Sequence, residues 1–244
     1  MDKILIQKRF SRRLKTYDEN ARIQKQMAEK LISMLSEENF YENILEIGCG
    51  TGFLTKIVSE NLSFKTYKAN DIVSDCSEYI SSINPKIKFI YGDIEKLIDE
   101  SETKFDLIIS NAAIQWIDDF ENFVKKLASK LTSNGVLLFS TFGAENFREI
   151  LFVLGKTLKY YSLKEIEQKF ADYNTTTEED IRIMSFKTPK DVLRHIQNTG
   201  VNAISAETWS KKNLSEFEAG YNNFCSGRPT LTYNPIYVKI SPKT

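Results

Sequence analysis

The residues best suited to chemistry lie in the first hundred positions. In "NILEIGCGTGFL", residues 43–54, an apolar run meets glycines at 48, 50 and 52 and then a helix-like start. The spacing Gly48-x-Gly50-x-Gly52 is one residue short of a dinucleotide fingerprint, and the lysine of a phosphate loop is absent. The glycines still imply a tight turn and close backbone approach by a ligand. Glu46 stands two residues before the first glycine. A carboxylate at the end of a strand repels a pyrophosphate and favours a ligand carrying an ammonium or a sulfonium.

Two further acids extend this reading. Asp71 ends the run "KTYKAND" (65–71), about 20 residues after the glycines, where an acidic side chain can hydrogen-bond two ribose hydroxyls. Asp93, in "YGDI" (91–94), can accept from an exocyclic adenine amine. Each has a plainer reading alone: a strand–helix turn for the glycines, a helix cap for Asp71, a turn residue for Asp93. In an open α/β sheet, however, all three acids reach one edge, where the carboxyl ends of the strands form the ligand crevice. Together they describe adenosine joined to a cationic amino acid, S-adenosyl-L-methionine.

The elements that must position these groups alternate. Ile44–Ile47, 65–71, 86–93, 104–116 and 135–142 read as strands; 52–61, 75–82 and 119–131 carry helical spacing. That order implies a mostly parallel sheet with helices on both faces. Later, 145–173 and 188–224 read as mostly helical, 179–186 as a strand and 230–240 as a closing strand. Pro235 within the last run suggests an edge position or a bulge. No linker or repeat divides the 244 residues, so one domain with a late helical insertion is expected.

Bulk properties narrow the class. The formal net charge is zero, so nothing global argues for nucleic acid or a membrane surface. No apolar run reaches the ~18 residues of a membrane span, and no secretory signal is apparent. Cys49, Cys76 and Cys225 are odd in number and lack metal-ligand spacing, which favours reduced thiols and a cytoplasmic location, with no metal.

"ILEIGCGTG", Asp71, "GDI" and "SNAAIQW" resemble the sequential motifs of class I S-adenosylmethionine-dependent methyltransferases. That resemblance implies a Rossmann-like seven-stranded sheet with an antiparallel last strand. It also implies a cofactor site at Glu46, Gly48, Gly50, Gly52, Asp71, Ile72, Asp93, Ile94 and Asn111. The flanking segments 9–31, 111–119, 140–150, 192–203 and 231–240 resemble the malonyl-[acyl-carrier protein] O-methyltransferases of early biotin synthesis. Residues 1–40 are then a helical cover, 41–143 the cofactor-binding core, 144–230 a substrate lid with one strand, and 231–244 the terminal strand. The implied reaction is methyl transfer to the free carboxylate of malonyl-acyl carrier protein or malonyl-CoA. Another small acceptor, such as trans-aconitate or a quinone precursor, and a non-catalytic cofactor-binding partner protein are the alternatives.

Within this frame Tyr17 and Gln24 fall in the cover, at the cofactor. The Tyr17 hydroxyl either donates to the methionine or substrate carboxylate or belongs to a packed ring. Arg194 and His195 are the further catalytic candidates, and Arg148 and Asn198 those for holding substrate. His195, the only histidine, would bring a titration near pH 6.5. Trp116 and Trp209 read as packing residues or as lining of an acyl channel. Tyr160, Tyr161, Phe147 and Phe152 read as core of the insertion. Lys8, Arg9, Arg12, Arg13 and Lys15 form a basic run suited either to an acidic carrier or to a solvated helix face.

Overall fold

A computed structural model describes residues 3–35, 40–199 and 211–243. It begins with three helices, α1 (Lys3–Ser11), α2 (Leu14–Asn20) and α3 (Arg22–Ser33). The alternating core follows: β1 (Phe40–Ile47), α4 (Phe53–Asn61), β2 (Ser63–Asp71), α5 (Cys76–Ile83), β3 (Lys88–Tyr91) and α6 (Ile94–Glu100). It continues with β4 (Phe105–Asn111), a short 3-10 helix (Ile114–Trp116), α7 (Phe120–Ser129) and β5 (Leu131–Phe142). The remainder comprises α8 (Arg148–Leu154), α9 (Leu163–Lys169), β6 (Asn174–Glu179), β7 (Arg182–Ser185), α10 (Pro189–Asn198), α11 (Lys211–Phe224), β8 (Thr230–Tyr233) and β9 (Pro235–Ser241).

The main sheet has seven strands in the order β3-β2-β1-β4-β5-β9-β6. The first five are mutually parallel, and β9 runs antiparallel to both of its neighbours. Strands buried on both faces must be apolar on both faces, and the central ones are. Ile44 of β1 joins the core on one side with Met27, Leu31 and Tyr237, while Leu45 and Ile47 join the other with Phe123 and Leu127. Helix α7 shows how sequence makes such a layer: Phe120, Phe123, Val124 and Leu127 recur on one buried face, and Asp119 caps the start by accepting from the Asn122 N–H.

Several sequence expectations change in detail. The strand read over 104–116 stops at Asn111, because Ala112 takes a left-handed φ of 50° and the chain turns into the 3-10 helix. The helix read over 145–173 is broken at Gly155, whose φ of 64° ends α8, and restarts with a Ser162–Glu165 capping box. The insertion holds two strands rather than one. β7 falls inside the expected 179–186, whereas the edge strand β6, "NTTTEE", is too polar and exposed to read as a strand.

The closing run 230–240 is two strands in two sheets. β8 pairs with β7, and after Asn234 the chain enters the main sheet as β9. Pro235 is the first residue of β9, which is interior, between β5 and β6, and not an edge strand. A first position tolerates the missing N–H. Buried Asn234 holds the corner: its side chain accepts from the Glu145 N–H at 3.0 Å and donates to Glu179 at 3.0 Å and to the Asp180 carbonyl at 3.1 Å.

A cleft at the strand tips as candidate active site

The carboxyl ends of β1, β2, β3 and β4 meet in one cleft, lined by residues from Ile47–Thr51, Asn70–Val73, Gly92–Ile94 and Asn111–Ile117. Helices α1 to α3 form its other wall through Lys3, Phe10, Leu14, Tyr17, Asp18 and Gln24. The glycine loop is pinned from below, where the Gly48 and Cys49 N–H groups both donate to the Asn70 carbonyl, at 2.9 and 3.0 Å. A Cβ on Gly48 would lie 2.3 Å from that of Ala113, so the turns that follow β1 and β4 approach closely there. Gly50 differs: its φ is +52°, and a Cβ would meet nothing within 4 Å. Its bare backbone faces open space.

The three acids occupy distinct positions. Asp71 lines the cleft and braces the loop, accepting from the Gly50 N–H at 2.8 Å and the Val73 N–H at 2.9 Å. Burial pushes its carboxyl above the ordinary value against these stabilising bonds, and the Cys76 thiol adds a further one. Asp93 caps α6 through the Glu95 N–H and pairs with Lys3 of the cover at 2.7 Å. The same ammonium binds Glu95.

Glu46 stands behind the cleft rather than in its lining, a correction to the expected direct contact. It is 1% exposed and points between β2 and α4, where Tyr67 and Thr55 donate to its Oε2. Its Oε1 is buried without a partner. Burial raises its carboxyl to about 7, opposed by the two hydroxyl donors and reinforced by Asp71.

The cover is fastened over this floor. Gln7 donates to the Ile72 carbonyl at 2.8 Å, Ser11 to Asp75 at 3.1 Å, and Thr51 to Asp18 at 2.6 Å. Phe10 packs edge-on against Trp116 with centroids 6.0 Å apart and tilted against Tyr17 at 6.2 Å. Trp116 thus lines the cleft. Gln24, 5% exposed, leaves Oε1 buried and unpartnered. Asn111 lines the cleft and is held in place, donating to the Gln24 carbonyl at 2.9 Å and accepting from Ser140 at 2.7 Å.

The candidates from the late chain do not join this cleft. Arg194 is an exposed surface residue paired with Asp191 at 3.0 Å, and Arg148 is exposed beside Glu145 at 3.3 Å. A short spacing to an acid on their own helices or adjoining loop holds both guanidiniums at the surface. Asn198 contacts the cover instead, 3.4 Å from Arg13 and 3.4 Å from Asn20. His195 Nε2 meets the Tyr233 hydroxyl at 2.8 Å, its ring packs on Phe186, and burial lowers its basicity. It is a half-buried histidine held by these contacts, outside the cleft lining. Phe147 is buried, Tyr161 stacks on Phe120, and Tyr160 packs on Phe142; Phe152 is instead exposed against Phe224. Trp209 lies outside the described residues. Lys3, Asp18 and Thr51 escaped sequence reading because their partners are 33 to 92 residues away.

Among the described residues no three His, Cys, Asp or Glu side chains are grouped to hold a metal ion, and no helix is long and apolar enough to cross a membrane.

A family model described as a methyltransferase domain matches residues 17–206. A malonyl-[acyl-carrier protein] O-methyltransferase of Chlorobium luteolum is 37% identical, with 97% of this chain and 94% of that protein covered. Its namesake from Calditerrivibrio nitroreducens is 35% identical, with 92% and 91% covered. The crystal structure of the N-methyltransferase NodS from Bradyrhizobium japonicum, in complex with S-adenosyl-L-homocysteine, shares the fold at a TM-score of 0.59 and 13% identity, over 98% and 99% of the two chains. Sequence similarity along nearly the whole chain, on a sheet of matching architecture, makes this protein a member of the malonyl-[acyl-carrier protein] O-methyltransferase family of Rossmann-like methyltransferases.

Proposed function

We propose that the protein transfers a methyl group from S-adenosyl-L-methionine to the free carboxylate of a malonyl group carried on acyl carrier protein. The observation that carries the cofactor assignment is the cleft and the group behind it: bare backbone at Gly50, the Asp71 carboxylate beside it, the orphaned acceptor Gln24 Oε1 in the lining, and a second orphaned acceptor, Glu46 Oε1, buried behind the loop. A phosphate needs donors and positive charge; these groups offer acceptors and negative charge. They suit a cationic nucleoside.

In this reading Asp71 accepts from the ribose hydroxyls, Asp93 and Ile94 sit at the adenine end, and the loop from Gly48 to Gly52 admits the amino-acid portion. Glu46 acts from behind the loop as a carboxylate stabilised when a cation arrives. When bound, the cofactor supplies a methyl carbon on a positive sulfur, which a carboxylate ionised at neutral pH takes without a general base. The chain's task is then orientation and water exclusion. The fastened cover serves the second.

Transfer removes the charge of the malonyl end, which fits the biotin-synthesis role implied by the sequence resemblance. For the carrier, α1 and the adjoining α2 present exposed Lys8, Arg12 and Lys15 with half-buried Arg9 and Arg13. An acidic carrier is complementary to that surface, which would raise its association rate.

Labelled methyl transfer to malonyl-acyl carrier protein, malonyl-CoA and trans-aconitate tests the assignment. A methyl ester on the malonyl thioester is the expected product. Turnover of aconitate without it would reject the acceptor and keep the cofactor; tight S-adenosylhomocysteine binding without turnover of any acceptor would reject catalysis.

A further inference from the structure

The cleft must hold two carboxylates of different fate, that of the cofactor's amino acid and that of the acceptor. The strongest anion binder, a guanidinium, is not offered: among the described residues no arginine lines the cleft. Its two lysines have other partners, Lys3 in Asp93 and Glu95, Lys25 over the Phe53 ring at 5.1 Å. The side-chain donors that remain are uncharged. Tyr17 and Trp116 line the cleft, and neither the hydroxyl nor the indole N–H has a hydrogen-bond partner among the described residues. Phe10 packs against both rings, with centroids 6.2 and 6.0 Å away, which places the two aromatic side chains on either side of one residue of the cleft wall.

We infer that Tyr17 and Trp116 are the neutral clamp for the acceptor carboxylate, each donating one hydrogen bond, while Gln24 Oε1 takes the cofactor's ammonium. This rests on the reaction proposed above and names the residues that select its substrate.

Physical reasoning favours neutral donors. Carboxylate and sulfonium charges cancel as the methyl group moves, so a cation paired with the carboxylate would stabilise the ground state more than the transition state. Hydrogen bonds from a phenol and an indole orient the oxygen without that penalty. Burial beside Asp18 and Asp71 pushes the Tyr17 hydroxyl well above its ordinary range, so it stays a donor at any working pH. Gln24 Oε1 can only accept, which suits an ammonium and not a carboxylate.

The test titrates malonyl-CoA and acetyl-CoA into the full chain saturated with S-adenosylhomocysteine. The two thioesters differ by the carboxylate alone. Wild type is expected to prefer malonyl-CoA, and Tyr17→Phe and Trp116→Phe each to reduce that preference tenfold or more. Both variants retain the ring packed on Phe10, and their affinity for S-adenosylhomocysteine should stay within twofold of wild type. Gln24→Leu should do the reverse, weakening S-adenosylhomocysteine and sparing the malonyl preference. A wild-type preference that survives both aromatic substitutions overturns the clamp alone, as does a fall confined to S-adenosylhomocysteine affinity. Wild type that takes both thioesters equally overturns the proposed substrate, and the clamp with it.

Discussion

The Gly50 N–H donates to Asp71 Oδ2 across 2.8 Å, tying the bare turn after the first strand to the acid that ends the second. One carboxylate thereby shapes the loop and lines the cleft. Asp71→Ala removes both roles. S-adenosylhomocysteine binding is expected to weaken by about 1–3 kcal/mol, the scale of hydrogen bonds to a charged group. Isothermal titration measures it, and an unchanged dissociation constant would contradict the ribose assignment.

Glu46 predicts a pH dependence of cofactor binding. Its folded-state value, about 7, lies above the ordinary carboxylate value, so the folded protein holds a proton that the unfolded chain releases. This contribution to stability is complete below the ordinary value and is lost as pH rises through about 7. Cofactor affinity runs the opposite way, because a cation favours the ionised form and expels the proton. Affinity should therefore rise from pH 6 to 8. Titration in buffers of different ionisation enthalpy should register proton release in wild type and little in Glu46→Gln.

His195 predicts a stability effect without a catalytic one. Burial lowers its folded value below 6.5, so its contribution is present above that pH and is lost as pH falls through the depressed value. His195→Phe withdraws the partner of Tyr233 and should cost about 1–3 kcal/mol by denaturant melts. The turnover of folded enzyme should show no ionisation that the substitution abolishes.

Arg194→Ala and Arg148→Ala should each leave the acceptor KM within twofold, since both guanidiniums are exposed and paired to neighbouring acids. A tenfold rise in steady-state kinetics for either would return it to the site.

Replacing Lys8, Arg12 and Lys15 together with glutamate should slow association with an acidic carrier and leave S-adenosylhomocysteine affinity unchanged. Stopped-flow at low salt is the measurement, since screening erases the difference at high ionic strength. Equal rates at low salt would dismiss the basic face.

Sequence alone made legible the half of the sheet whose strand tips form the cleft. Apolar strand cores, glycines at alternate positions and acids at the ends of successive strands are local signals, and sheet geometry carries them to one edge without further information. Tertiary structure decided the rest. Glu46 went behind the loop because the alternation of β1 turns it toward Thr55 and Tyr67, while Asp71 stayed in the cleft. Arg194 and Arg148 are plausible clamps by residue type, and only their exposure and nearby acids remove them. Tyr17 and Trp116 are 99 positions apart in sequence and meet through Phe10. No spacing rule encodes that contact, because it exists only once the N-terminal helices have packed across the strand tips.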